Sequence, residues 1–134
     1  MVSDPRYQAA KELAQANRAF YDAFRALDLD AMREVWLEAD NVKCVHPGWE
    51  MLVGYDLVMR SWEGIFENTE SISFEVSDLE VEVIGDAGVV TLVERVGSDG
   101  GGTGEMAATN VFVRSFDAWK MVMHHASPIA RRVM

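Results

Sequence analysis

Between Ile72 and Ile84 the apolar residues fall first at Ile72, Phe74 and Val76 and then at Leu79, Val81 and Val83, so their parity changes within one extended run. Successive side chains of a strand point to opposite faces, and a single flat strand cannot hold both sets on one side. An extra residue near Ser77 and Asp78, a β-bulge, restores the phase and bends the strand. The sheet built on it is therefore curved, and the rest of the chain is expected to cover its concave side.

The segment before this run is helical. Over 5–27, Ala10, Leu13, Phe20, Phe24 and Leu27 recur at three- and four-residue steps, with Lys11, Glu12, Gln15, Arg18 and Arg25 between them. Ser3 or Asp4 is the expected cap, with Pro5 in the first turn, where a missing amide donor costs nothing. Asp28 or Asp30 caps a short second helix carrying Met32, Val35 and Trp36, which Asp40 and Asn41 end in a turn. Weak alternation at 42–46 stops at Pro47 and Gly48, and a second apolar piece follows at 51–53. Leu57, Val58, Trp62, Ile65 and Phe66 keep a helical period across 56–66, giving a third helix.

After the bulged run, Gly85 to Gly88 turn the chain into a strand at 89–97. The stretch 98–104, with its four glycines, reads as a long mobile connection. The last part, 107–128, is two alternating segments about a break at 115–118. With 134 residues and a hydrophobic fraction of 49%, the chain suits one domain over 1–134 with a continuous core. The predicted class is α+β, three N-terminal helices packed over a curved, bulged antiparallel sheet.

A register for the final hairpin places Ala108 opposite His125, Asn110 opposite Met123 and Phe112 opposite Met121. Partners across strands share a face, so one side carries Phe112, Met121 and Met123 interrupted by Asn110 and His125. Val111, Val113, Val122, Thr109, Lys120 and His124 take the other. The strand before it adds Val90, Leu92, Val96 and the carboxylate Glu94 to the first side. Glu94, Asn110 and His125 then need partners or a cavity, because an unsatisfied buried polar group costs roughly 1–3 kcal/mol. Three outcomes are open: a buried network that sets strand register, a Glu94 pair with Arg or Lys at a sheet edge, or a pocket whose few convergent polar groups orient a small molecule. Beneath Tyr21, Trp36, Trp49 and Trp62 such a pocket is expected to be closed-ended, with Phe66, Phe112 and Met123 in its wall and His46 sharing its mouth with Trp49. For catalysis, Glu94 or His125 is the acid or base, and Asn110 holds an oxygen.

Other chemistries fit less well. Adjacent His124 and His125 point to opposite faces of a strand, which leaves at most two imidazoles to converge, so no metal is expected. No cofactor is expected either. Cys44 shares a face with His46 but has no thiolate-stabilising charge beside it, and as a single cysteine it excludes an intrachain disulfide. Twelve basic against twenty-two acidic residues, a formal charge of -10, disfavour nucleic acid and anionic membrane as partners. With no signal pattern ahead of the first helix, a cytoplasmic location is expected. A Val-rich outer face bearing Val111, Val113 and Val122 predicts a homodimer.

The tandem-helix start with Asp28-Leu29-Asp30 leading to Trp36, the VHPG of 45–48, the GYDLVMRSW of 54–62, the bulged strand, and ATNVF followed by WKMVMHHASP together resemble the SnoaL-like branch of the nuclear transport factor 2-like superfamily. The resemblance covers nearly the whole chain. It implies the cone-shaped, ketosteroid isomerase-like fold and a dimer. Its functional implication is a hydrophobic pocket for a small apolar carbonyl or hydroxyl compound, serving a proton-transfer enzyme of isomerase, cyclase or dehydratase type, or else a non-catalytic binding or dimerisation module. Met123 stands where relatives often carry a histidine, and Ala107 where an arginine is common. Both changes remove polar groups near the sheet and point away from a charged ligand such as one held by a carboxylate clamp.

Overall fold

The computed structural model describes residues 4–130. Helix α1 runs Pro5–Ala26, capped by the Asp4 carboxylate, which accepts from the Arg6 amide. The alternative cap, Ser3, lies outside the described residues. Leu27 closes α1 in the left-handed region at φ 52°, and Asp28 then caps α2, Leu29–Val35, by accepting from the Ala31 amide at 3.1 Å. Short strands β1, Lys43–Val45, and β2, Leu52–Val53, lead into α3, Tyr55–Glu67. Four long strands follow: β3, Ile72–Ile84; β4, Ala87–Ser98; β5, Thr103–Ser115; β6, Ala118–Pro128.

The six strands form one sheet in the order β2-β1-β6-β5-β4-β3. It is mixed rather than purely antiparallel. β1 runs parallel to β6, pairing Cys44 with His124 and Val45 with His125. In β3 the register shifts between Ser77 and Glu80, with Asp78 at φ 54°, which is the bulge the parity change required. The concave side holds the core. Phe20 and Leu13 of α1, Met32 of α2, Trp36 at its C-cap, and Val58 and Trp62 of α3 are buried with Val90, Phe112 and Met121 of the sheet.

The glycine-rich connection differs from expectation. β4 continues to Ser98 and β5 begins at Thr103, so only 99–102 turn the chain. Asp99 and Gly100 take positive φ, at 41° and 75°, and the Asp99 carboxylate accepts from the Glu70 and Ser71 amides at 3.1 and 2.7 Å. A side chain tied to a neighbouring loop replaces the long free linker.

The final hairpin corrects a second expectation. Phe112 does pair with Met121, but the register then shifts, so that Val111 meets Met123, Asn110 meets His124, and Ala108 meets Ala126. Val122 is the extra residue. Beyond it every side chain of β6 lies on the face opposite to the one expected: His124 is buried, His125 is exposed, and Met123 turns outward beside Lys43 and Val111.

Candidate functional site

Four polar side chains meet inside the cone. Glu94 enters from β4, Asn110 from β5, His124 from β6 and Tyr21 from α1, and all four are nearly inaccessible. The Tyr21 hydroxyl donates to Glu94 Oε2 at 2.6 Å. Asn110 donates from Nδ2 to Asn17 Oδ1 at 2.9 Å and to the Tyr21 hydroxyl at 3.2 Å. Its amide oxygen is 2.6 Å from His124 Nδ1. Because that oxygen can only accept, His124 carries its proton on Nδ1 and donates it.

Burial sets the charge states. It raises the Glu94 carboxyl to about 7, although the Tyr21 hydrogen bond works the other way. Burial, aided by the Glu94 charge, pushes the Tyr21 phenol far above its ordinary value. Burial lowers His124 to about 3, helped by His46 and His125, so the imidazole is neutral. Only Glu94 titrates near neutrality in this group.

α1 presents Asn17 and Tyr21 to this network from one face, since residues three to five apart along a helix stay on neighbouring sides. The same two residues line a groove of about 320 Å³ between α1 and β3, together with Ala14, Arg18, Asp22, Arg25, Val76 and Leu79. The bulge turns Leu79 toward α1, where it remains 49% exposed. Tyr21, 2% exposed, thus belongs through its hydroxyl to the buried network and is also part of the groove's lining. Glu94, Asn110 and His124 sit behind it.

His125 does not join the site. It is exposed, and it lies opposite Thr109 on the convex face, so it cannot converge with Glu94 on one molecule. Met123, turned outward, is not part of any interior wall. Trp36 is core, bridged to Met121. Trp62 packs edge-on against Phe24 and His46, each with ring centroids 4.7 Å away, and Phe66 leans on both Trp62 and Phe24. Phe112 is fully buried on the concave face.

His46 is buried instead of standing at a mouth. Its Nε2 lies 2.9 Å from the Ser61 hydroxyl, whose proton goes to the Val58 carbonyl, so the ring nitrogen is the donor. Burial holds His46 at about 4 and raises the Cys44 thiol beside it. Trp49, 48% exposed, covers His46 and borders a separate outer groove.

Two site residues escaped the sequence reading. His124 was placed outside because the extra residue in β6 carries no signal of its own. Asn17, by contrast, is detectable: it stands four residues after Leu13 and four before Tyr21, a polar residue within the buried stripe of α1. Among the described residues no His, Cys, Asp and Glu group has the geometry for a metal ion.

Three helices over a curved six-stranded sheet are the architecture of the nuclear transport factor 2-like class. Within it, the chain belongs to the SnoaL-like domain family, which matches residues 13–131. A proposed dehydratase of the NTF2-like family from Streptomyces avermitilis is 39% identical, superposes with a TM-score of 0.87, and is matched over 92% of this chain and 98% of that one. A proposed calcium/calmodulin-dependent protein kinase type II association domain from Thiobacillus denitrificans is 33% identical at a TM-score of 0.79, over 86% of this chain and 93% of its own. The F-box protein SKIP8 of Arabidopsis thaliana is 32% identical over 121 residues, 90% of this chain. The chain spans about half, 51%, of that relative's length. The fold is of a small-molecule-binding kind, and no helix of the described residues is long and apolar enough to cross a membrane.

Proposed function

We propose that this domain binds a small, largely apolar carbonyl or hydroxyl compound in the α1/β3 groove and acts on it by proton transfer, with the Glu94–Tyr21 pair as its acid. The observation that carries the reading is the 2.6 Å bond from Tyr21 to a buried carboxyl, made by a residue that also lines the groove.

The direction of that bond depends on Glu94. While Glu94 is ionised, the phenol proton is committed to the carboxylate. When Glu94 is protonated, it donates to the Tyr21 oxygen; Asn110 occupies the second lone pair, and the phenol proton is released toward the groove. A ligand carbonyl there receives a donor backed by a second proton. The charged side chains of the groove itself are Arg18, Asp22 and Arg25; Val76 of β3 and Met106 of β5 flank Glu94 with apolar side chains, and β6 contributes the neutral His124.

Binding and turnover of small cyclic ketones, enols and aromatic alcohols test this from pH 5 to 9 for wild type, Glu94→Gln and Tyr21→Phe. Affinity for ketones is expected to fall as the pH rises through about 7 in the wild type, following Glu94. Glu94→Gln keeps a donor on the Tyr21 oxygen, so it binds without that pH dependence and loses turnover; Tyr21→Phe loses both.

A second reading has its own support: the four polar groups satisfy one another, as a purely structural network would. Stability separates the two. A carboxyl raised from its ordinary value to about 7 binds more protons folded than unfolded, so its contribution is present below the unfolded value and is lost as pH rises toward 7. On the order of 3 kcal/mol is at stake. If Glu94→Gln abolishes this slope while no compound of the panel binds, the network reading stands and the catalytic one fails.

Assembly is part of the proposal. Val89, Val93, Val111, Val113 and Met123 lie half-buried on the convex face, and this apolar strip supports a homodimer packed sheet to sheet. A cytoplasmic setting fits the acidic composition and the lone buried cysteine.

A further inference from the structure

We infer that the ligand of the α1/β3 groove is a hydrophobic monocarboxylate, with its acid group on Arg18 and its apolar body over Val76 and Leu79. The inference rests on the groove being the ligand site and adds the class of molecule it takes.

Arg18 precedes Tyr21 by three residues, so both project from the same side of α1 toward the same groove. The other charges there are already engaged. Arg25 bonds Asp22 at 3.3 Å and the Phe74 carbonyl at 3.5 Å, and its guanidinium lies 5.9 Å from the centre of the Phe74 ring. Among the described residues Arg18 has no carboxylate within ion-pair distance, although acidic residues outnumber basic ones in the chain by 22 to 12. Arg6, Arg33 and Arg114 each have such a partner; Arg60 and Arg95 are open like Arg18 but lie outside this groove. An arginine left open in so acidic a protein, beside a groove, offers a planar fork suited to a carboxylate.

The rest of the groove limits what that carboxylate is attached to. Asp22 cancels one of the two guanidinium charges and repels a second anionic group, so one negative charge is accommodated. Val76 and the half-exposed Leu79 form an apolar wall on β3 facing Ala14 of α1. At about 320 Å³ the space is at the small end of the range for ligand sites. A carbonyl or hydroxyl carried on the same short molecule is the group that the proposed reaction sets against Tyr21, which is 2% exposed in the groove's lining. This ligand class runs against the expectation of no charged ligand drawn from Met123 and Ala107, because the cation stands on the helix wall of the groove and not on the sheet.

Titration calorimetry with three probes tests this: 4-oxo-4-phenylbutanoate, its neutral primary amide, and butyrophenone, which keeps the ketone and lacks the acid. The acid is expected to bind the wild type about tenfold more tightly than the amide, as for a hydrogen bond to a charged group. That advantage should shrink in raised salt, vanish in Arg18→Gln and return in part in Arg18→Lys. Arg18 is exposed, so these variants should fold, and unchanged melting temperatures verify it.

An acid that binds no better than the amide, or an Arg18→Gln affinity within about twofold of wild type, overturns the inference. Butyrophenone and Tyr21→Phe keep the two proposals apart. Ketone binding without an acid advantage leaves the groove reading intact and removes this one. An acid advantage that needs Arg18 and ignores Tyr21 and pH retains the ligand class and removes the acid pair. Binding of none of the three probes overturns both.

Discussion

At the scale of single residues, the site depends on which of two adjacent histidines faces inward. His124 donates to Asn110 inside the cone; His125 is in solvent. His124→Ala is expected to cost at least about 2 kcal/mol, because it leaves the Asn110 oxygen buried without a donor and opens a void beside Phe20. His125→Ala should stay within about 0.5 kcal/mol of wild type. Denaturant titration of both variants checks the pair, and equal losses would contradict the register. The interior is also kept neutral on its histidine side. His46 and His124 have folded values depressed to about 4 and about 3, so the stability they bring is present above their unfolded values and is lost as pH falls through that range.

Among the elements, α1 approaches β4 tightly at Gly88. A Cβ built on Gly88 would come within 2.5 Å of Leu13 Cδ2 and 2.8 Å of Cδ1, in the middle of the core rather than at a yielding surface. Gly88→Ala is therefore expected to cost about 1–3 kcal/mol by overpacking. Leu13→Ala alone should cost about 2–5 kcal/mol by cavity formation, whereas the double variant should cost clearly less than the two together, since each change relieves the other. Additive losses in a thermal or urea double-mutant cycle would show that α1 does not rest on Gly88. Movement of α1 at this contact carries Asn17 and Tyr21 with it, so the same variants report on the groove.

For the whole molecule, the sheet has two unlike faces. The helices cover its concave side; the convex side exposes a Val-rich strip bordered by Glu75, Glu80 and Glu82 on β3. Val111→Glu places a charge in the centre of that strip and is expected to split the proposed dimer, or to destabilise it where the chain cannot exist alone. Analytical ultracentrifugation at micromolar concentration checks this, and a wild-type monomer there would sink the dimer. The acidic surface makes such self-association depend on apolar contact, because like-charged subunits repel more strongly as salt is lowered.

The three helices and their caps, the turns before β4 and before β6 and the bulge of β3 were legible in the residues themselves. Each rests on local chemistry: Asp4 and Asp28 as caps, and apolar residues alternating with polar ones on both sides of Ser77 and Asp78, so that a change of phase could be seen. The bulge of β6 could not be seen in the same way. Around Val122 the residues read Met-Val-Met-His-His, apolar and then histidine in both parities, and the pattern tolerates either face. Parallel pairing decided it, because β1, only three residues long, sets Cys44 beside His124 on the concave side. Glu94 and Asn110 were identified from strand parity alone. Tyr21 was expected above them, but its bonds and the part of Asn17 were not legible, since Asn17 and Tyr21 are 93 and 89 residues from Asn110 along the chain and only the docking of α1 brings these side chains into contact.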